Sequence, residues 1–160
     1  HGPRGGDKIS IVKEGAHFGW PYISIGIPYT NLQEKLNKKN FKGIYNGNKF
    51  SYLDAYKKYE MPIFSFVPSI GISAITKNLK NFNLKDWGDN LIIGSLKDKS
   101  IYNVALQDNK AVYTERVYIG YRVRSIAINR THLILSSDTG EIIFVQKDTQ
   151  TRGEGPFPKY

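Results

Sequence analysis

The sequence predicts an all-β chain built as part of a β-propeller, and three observations carry that prediction. From Pro62 onward there is no helical periodicity, only short apolar runs at regular spacing. The runs are separated by turn chemistry, as in Lys97-Asp98-Lys99, Gln107-Asp108-Asn109 and Asp138-Thr139-Gly140. A triplet of strand-like segments is also used twice. Ser73-Ala74-Ile75-Thr76, Asn90-Leu91-Ile92-Ile93-Gly94-Ser95 and Ser100-Ile101-Tyr102-Asn103-Val104 recur as Ser125-Ile126-Ala127-Ile128, His132-Leu133-Ile134-Leu135-Ser136-Ser137 and Glu141-Ile142-Ile143-Phe144-Val145. A period of about 40 to 50 residues is that of one four-stranded blade, which selects a propeller over a sandwich or barrel.

The elements follow in chain order. Residues 8–12 alternate apolar and polar positions, as a half-buried strand does. From Ile25 to Glu60 the alternation breaks down: Gly26, Pro28 and Asn31 mark turns, and residues 32–36 and 52–59 each suit a short helix. Residues 26–60 therefore read as an irregular, partly helical surface insertion. Strands are then expected at 63–67, 73–76, 91–96, 101–106, 112–119, 123–128, 133–137 and 142–146, followed by a Gly/Pro-containing tail at 147–160. The second copy of the triplet has no clear fourth strand, so its sheet edge is expected to be open and prone to association.

Composition narrows the function. The chain has 160 residues, of which 40% are hydrophobic and 13% aromatic, enough for a packed core and too apolar for a disordered segment. No apolar run approaches the roughly 18 residues needed to span a bilayer. The absence of cysteine removes disulfides, thiolate metal sites and cysteine nucleophiles. A net charge of +9 attracts anions, yet the lysines are scattered and no nucleic-acid-binding motif is present, so nucleic acid is not an expected partner. A first residue that is His rather than Met makes a fragment or processed product the expectation.

The leading segment His1-Gly2-Pro3-Arg4-Gly5-Gly6-Asp7 is the candidate site. Its glycines and proline permit a sharp turn that offers carbonyl oxygens to a hard cation, or simply an ordinary turn between strands. Arg122-Val123-Arg124 places two guanidinium groups at i and i+2, able to reach one ligand together or to stand as two solvated charges.

The whole run HGPRGGDKISIVKEGAHFGWP resembles the soluble quinoprotein sugar dehydrogenases, the glucose/sorbosone dehydrogenase family. The resemblance implies a six-bladed β-propeller of which residues 1–160 form roughly the C-terminal half. It further implies a calcium ion on the backbone carbonyls of Gly2 and Pro3, with pyrroloquinoline quinone beside it. Lys97, Arg122 and Arg124 would then meet the carboxylates of the quinone. Phe66-Val67-Pro68-Ser69-Ile70 is similar to the family's Trp-x-Pro-Ser/Thr segment, which implies Ser69 as a hydrogen-bonding neighbour of the cofactor and Phe66 as its aromatic platform.

The implied reaction is oxidation of the C1 hydroxyl of an aldose to the lactone, in the periplasm or outside the cell. Its catalytic histidine lies upstream of the region matched here, and neither His1, His17 nor His132 takes its place, so the chain alone is expected to be inactive. Lys8 and Phe18 replace an acidic residue and a tyrosine that in the family help to bind a second calcium, which is expected to be absent. Phe66 for Trp, Ile72 for Pro and Ser125 for Asp are further departures. They keep open a second reading, a non-catalytic propeller segment that binds protein or glycan.

Overall fold

The structure is a computed structural model that describes residues 1–2, 4–20, 24–26, 58–78 and 87–146. Within them nine strands form three antiparallel sheets. The first pairs β1 (Asp7–Ile9) with β2 (Phe64–Phe66). The second is a four-stranded meander of β3 (Ile72–Lys77), β4 (Leu91–Ser95), β5 (Ser100–Gln107) and β6 (Lys110–Tyr118). The third contains β7 (Val123–Ile128), β8 (Leu133–Ser137) and β9 (Ile142–Val145). The repeated triplet is thus β3-β4-β5 and β7-β8-β9, with β6 completing the first copy. Successive meanders lying sheet against sheet are the arrangement of consecutive propeller blades.

The first strand is shorter than the alternation of residues 8–12 suggested. Ile63 N–H donates to the Ile9 carbonyl at 2.8 Å, β2 then runs away, and Ser10 to Val12 have no partner strand; Val12 is 87% exposed. His132, expected within a strand, lies in the turn before β8, where its backbone N–H donates to Asn129 Oδ1. Nearly all of the insertion at 26–60, including the short helix expected at 32–36 and residues 52–57 of the one expected at 52–59, and the tail at 147–160 fall outside the described residues.

Two apolar clusters hold the sheets together, and β4 contributes to both. Ile93 packs with Ile9, Phe66, Ile70, Tyr102 and Val104 between the first and second sheets. Its neighbour Ile92 packs with Ile101, Val123, Leu133 and Leu135 between the second and third. Side chains of adjacent strand residues point to opposite faces, so a strand buried on both sides reads as the continuous apolar run Leu91-Ile92-Ile93. Each such side chain contributes about 1.5–3 kcal/mol relative to exposure.

The third sheet approaches the second most closely at Gly94. A Cβ there would lie 2.9 Å from Val123 Cγ1, 3.2 Å from Ser73 Oγ and 3.3 Å from Ile126 Cδ1. The same junction is tied by the Ser73 hydroxyl, which donates to the Val123 carbonyl. Gly94→Ala is therefore expected to destabilise the protein by about 1–3 kcal/mol through overpacking. Urea unfolding measures this, and an unchanged midpoint would show that the two sheets are not seated against each other here.

Candidate functional site

The leading loop is positioned by a buried carboxylate. Asp7, the first residue of β1, is fully shielded from solvent and accepts four hydrogen bonds. Its Oδ1 receives Gly2 N–H at 2.9 Å and the Ser69 hydroxyl at 2.6 Å. Its Oδ2 receives the N–H groups of Gly71 at 2.6 Å and Ile72 at 3.1 Å. Burial by itself pushes the Asp7 carboxyl up, but the donors from Ser69, Gly2, Ile72 and Gly71 outweigh it and hold the group below its ordinary value.

Glycine is required where this loop folds back on itself. A Cβ on Gly2 would lie 2.1 Å from the Gly6 carbonyl oxygen, and one on Gly6 would lie 2.3 Å from Gly26 N. His1 donates from Nδ1 to the Ile72 carbonyl at 3.1 Å, a bond that fixes its proton on that nitrogen because the carbonyl can only accept. Pro3 lies outside the described residues.

The segment that Asp7 holds in turn positions Lys97. Leu96 N–H donates to the Gly71 carbonyl at 2.9 Å, and Lys97 N–H to the Ile70 carbonyl at 3.0 Å. Ser95 Oγ donates to the same Ile70 carbonyl at 2.6 Å. Gly71 has φ +69, and a Cβ there would sit 3.2 Å from Lys97 N, so the two turns are in close backbone contact.

A cavity of about 500 Å³ opens where these turns meet, lined by His1, Gly2, Arg4, Ser69, Lys97 and Arg122 among others. Among the described residues that line it are two arginines and a lysine, and no acidic residue. Positive charge from three separated segments thus converges on one opening, an arrangement suited to a small polyanion.

The other arginine is reached indirectly. Arg122 and Arg124 flank the buried Val123, and both bind Asp138, which follows β8: Arg122 Nε lies 2.7 Å from Oδ2 and Arg124 Nε 2.6 Å from Oδ1. The hydrogen bonds from Arg122 and Arg124 hold Asp138 below its ordinary pKa. The register shifts between Val123 and Ser125, so Arg124 is the additional residue of a bulge, a device that re-aims a side chain at a sheet rim. Arg124 does not line the cavity; it joins it through Asp138.

Ser69 lines the cavity while its hydroxyl donates to Asp7. Phe66 does not line it. The Phe66 ring is 6% exposed, meets Phe64 and Tyr102 edge-on at 4.8 and 5.1 Å, and contributes to the wall of a neighbouring cleft that shares Pro68, Ser69 and Lys97 with the cavity. Lys8 donates from Nζ to the Phe18 carbonyl at 3.1 Å, and burial lowers its pKa. Among the described residues, no three His, Asp or Glu side chains gather as a metal site.

Sequence reasoning gave no role to Asp7, Arg4 or Asp138. Asp7 was visible as the residue that ends the glycine loop and begins a strand, whereas Asp138 looked like an ordinary turn residue in Asp138-Thr139-Gly140.

Asp7→Asn removes the charge and sets an amide NH2 against backbone donors, with an expected loss of about 2–3 kcal/mol in unfolding free energy. Because the folded pKa of Asp7 is depressed, its contribution is complete above the ordinary aspartate range and declines below about pH 4, as pH falls through the folded value. Urea titrations at neutral and acidic pH should therefore show the two proteins converging in acid. A difference independent of pH would mean that the carboxylate charge is not what holds the loop.

Comparison with known proteins agrees with this architecture. A family model for glucose/sorbosone dehydrogenase matches residues 1–145. An aldose sugar dehydrogenase of Escherichia coli (strain K12) is 28% identical over 151 residues, covering 91% of this chain and 36% of that protein. An uncharacterised protein of Synechocystis sp. is 26% identical over 129 residues, 79% of this chain and 27% of its own length. Among solved structures, a glucose dehydrogenase superposes with a TM-score of 0.71 at 27% identity, over 92% of this chain and 39% of that one. The soluble aldose sugar dehydrogenase from Escherichia coli gives 0.65 at 26% identity, over 86% and 36%. The chain therefore spans little more than a third of the length of the first curated relative, and its three sheets are part of a β-propeller. On the match of residues 1–145, the chain belongs to the glucose/sorbosone dehydrogenase family.

Proposed function

We propose that this chain is the C-terminal part of a calcium- and pyrroloquinoline-quinone-dependent aldose dehydrogenase that oxidises the C1 hydroxyl of a sugar to the lactone. The observation that supports this reading is the cavity wall, which combines Arg4, Lys97 and Arg122 with the glycine loop and, among the described residues, has no acid of its own. A guest with three carboxylates suits that donor set, because buried carboxylates need cations and N–H groups around them. When bound, the quinone supplies a two-electron acceptor and the calcium ion an electrophile beside it.

In this reading the residues of the chain bind and orient. Lys97 and Arg122 meet carboxylates of the guest, Asp138 and Arg124 hold Arg122, and Ser69 offers its oxygen from the wall while anchored on Asp7. Gly2 and Pro3 offer carbonyl oxygens to the calcium ion. Phe66 supports the wall from within the core. No second calcium is included, since the Lys8 ammonium already donates to the Phe18 carbonyl. The proton of the sugar hydroxyl is assigned to a base outside this chain, because none of His1, His17 and His132 stands where the family's catalytic histidine would. The protein is assigned to the periplasm or to secretion; among the described residues no helix is long and apolar enough to cross a membrane.

One observation favours the alternative, a non-catalytic propeller segment: both arginines are already paired with Asp138. The full-length gene product, reconstituted with calcium and the quinone, separates the two readings. Sugar-dependent dye reduction is expected, with quinone affinity lowered about tenfold or more by Lys97→Ala and by Arg122→Ala. A protein that neither retains the quinone nor oxidises an aldose would establish the non-catalytic segment instead.

The 160-residue chain produced by itself is expected to self-associate through the sheet edges left unpaired among the described residues; Ile142 and Phe144 of β9 are 58% and 60% exposed. Light scattering over a dilution series reads this directly, and a monomer that persists at high concentration would contradict it.

A further inference from the structure

The backbone of the turn that carries Lys97 is fixed by hydrogen bonds on both sides of it. Ser95 Oγ accepts from Asp98 N–H at 3.0 Å, and Ser100 Oγ donates to the Asp98 carbonyl at 2.9 Å. Lys99 takes φ 53, and its carbonyl accepts the N–H groups of Ile119 and Gly120 at 3.0 and 3.1 Å.

The Asp98 side chain is the centre of this arrangement. Its Oδ2 accepts from Tyr102 Oη at 2.5 Å and from Arg116 Nε at 2.7 Å, and its Oδ1 accepts from Arg116 Nη2 at 3.3 Å. Arg116 belongs to β6, the last strand of the second sheet, where it stands opposite Tyr102. Its Nε also donates to Ser100 Oγ at 3.1 Å, and its guanidinium lies 5.5 Å from the Tyr118 ring centroid. Burial, then the adjacent Asp98 carboxylate, push the Tyr102 phenol to about 12, so it remains a donor.

An exposed ion pair of this kind contributes little to stability. Its geometric effect is more specific. Asp98, held against β6 by Arg116 and by Tyr102, fixes the backbone at the residue next to Lys97, and Lys97 lines the cavity without an ion pair among the described residues.

We infer that Arg116, acting through Asp98, is a positioning residue for Lys97, so that the outer strand of one blade sets the affinity of the cavity for an anionic guest. The inference rests on the reading of the cavity as a polyanion site, but not on the quinone being its guest. Arg116 touches no ligand.

A double-mutant cycle in the full-length protein tests it, with pyrroloquinoline quinone and benzene-1,3,5-tricarboxylate as separate probes and binding measured by calorimetry. Arg116→Gln should weaken binding about fivefold or more when Lys97 is present and less than about twofold in the Lys97→Ala background. Asp98→Asn should behave likewise, and Arg116→Lys should recover part of the loss. A merely structural role would shift urea midpoints equally in both backgrounds and weaken binding equally in both, and that result would overturn the inference. Tricarboxylate binding with the expected coupling but no quinone binding would sustain the inference while removing the quinone reading. If wild-type protein binds neither probe, both are overturned.

Discussion

The site depends on one negative charge placed where solvent does not reach it. Residues 1–6 carry little apolar surface, so hydrophobic burial cannot fix their path, and an unsupported glycine-rich loop would sample many conformations. Asp7 removes that freedom by taking donors from the loop and from the segment at residues 69–72 on the two oxygens of one carboxylate. Burying a carboxylate is unfavourable without partners, and three backbone N–H groups with a hydroxyl satisfy it. Once the carboxylate is committed, both segments are committed with it.

From Asp7 the constraint spreads across the ends of all three sheets. The 70–71 backbone accepts from Leu96 and Lys97, and so transmits the position of the loop to the turn between β4 and β5. One residue beyond Ile72, Ser73 donates to the Val123 carbonyl and brings the start of β7 into the same network. Ser73 and Arg124 occupy corresponding places, each the additional residue of a bulge near the start of the first strand of its sheet. Equivalent positions in two repeats have therefore diverged in use: a short hydroxyl joins neighbouring sheets, and a long guanidinium binds Asp138 in the turn after β8.

Much of this was legible in the sequence because period-two patterning and turn residues are local properties. The duplicated triplet maps onto β3-β4-β5 and β7-β8-β9, and the pairing of adjacent strands follows from their short turns. The end of β1 was less legible: Ser10 to Val12 continue the alternation, but strand length is set by the partner, and β2 departs at Ile63. Phe66 illustrates the same limit. An aromatic residue near a site motif can face the ligand or the core, and only the packing of Phe64 and Tyr102 around it decides for the core. Asp138 was invisible for a related reason, since a turn aspartate shows its function only when two arginines from another strand arrive beside it.

The pairing of those arginines bears on how the cavity treats a guest. An exposed salt bridge contributes little to stability, so the value of Asp138 lies in orientation. Guanidinium has five N–H donors, and Arg122 uses its Nε on Asp138, leaving terminal nitrogens available. A side chain that is otherwise long and flexible thus enters the cavity with its plane already set, and loses less entropy when a carboxylate arrives. The cost is part of the pair's positive charge, neutralised by Asp138. Lys97 has the opposite character, with a charge unpaired among the described residues, on a flexible stem whose backbone is fixed at 3.0 Å to the Ile70 carbonyl. On the proposed reading the arrangement divides recognition in two: Arg122 would supply direction and Lys97 net charge, and an anion that needs both must bring acidic groups to two sheets at once.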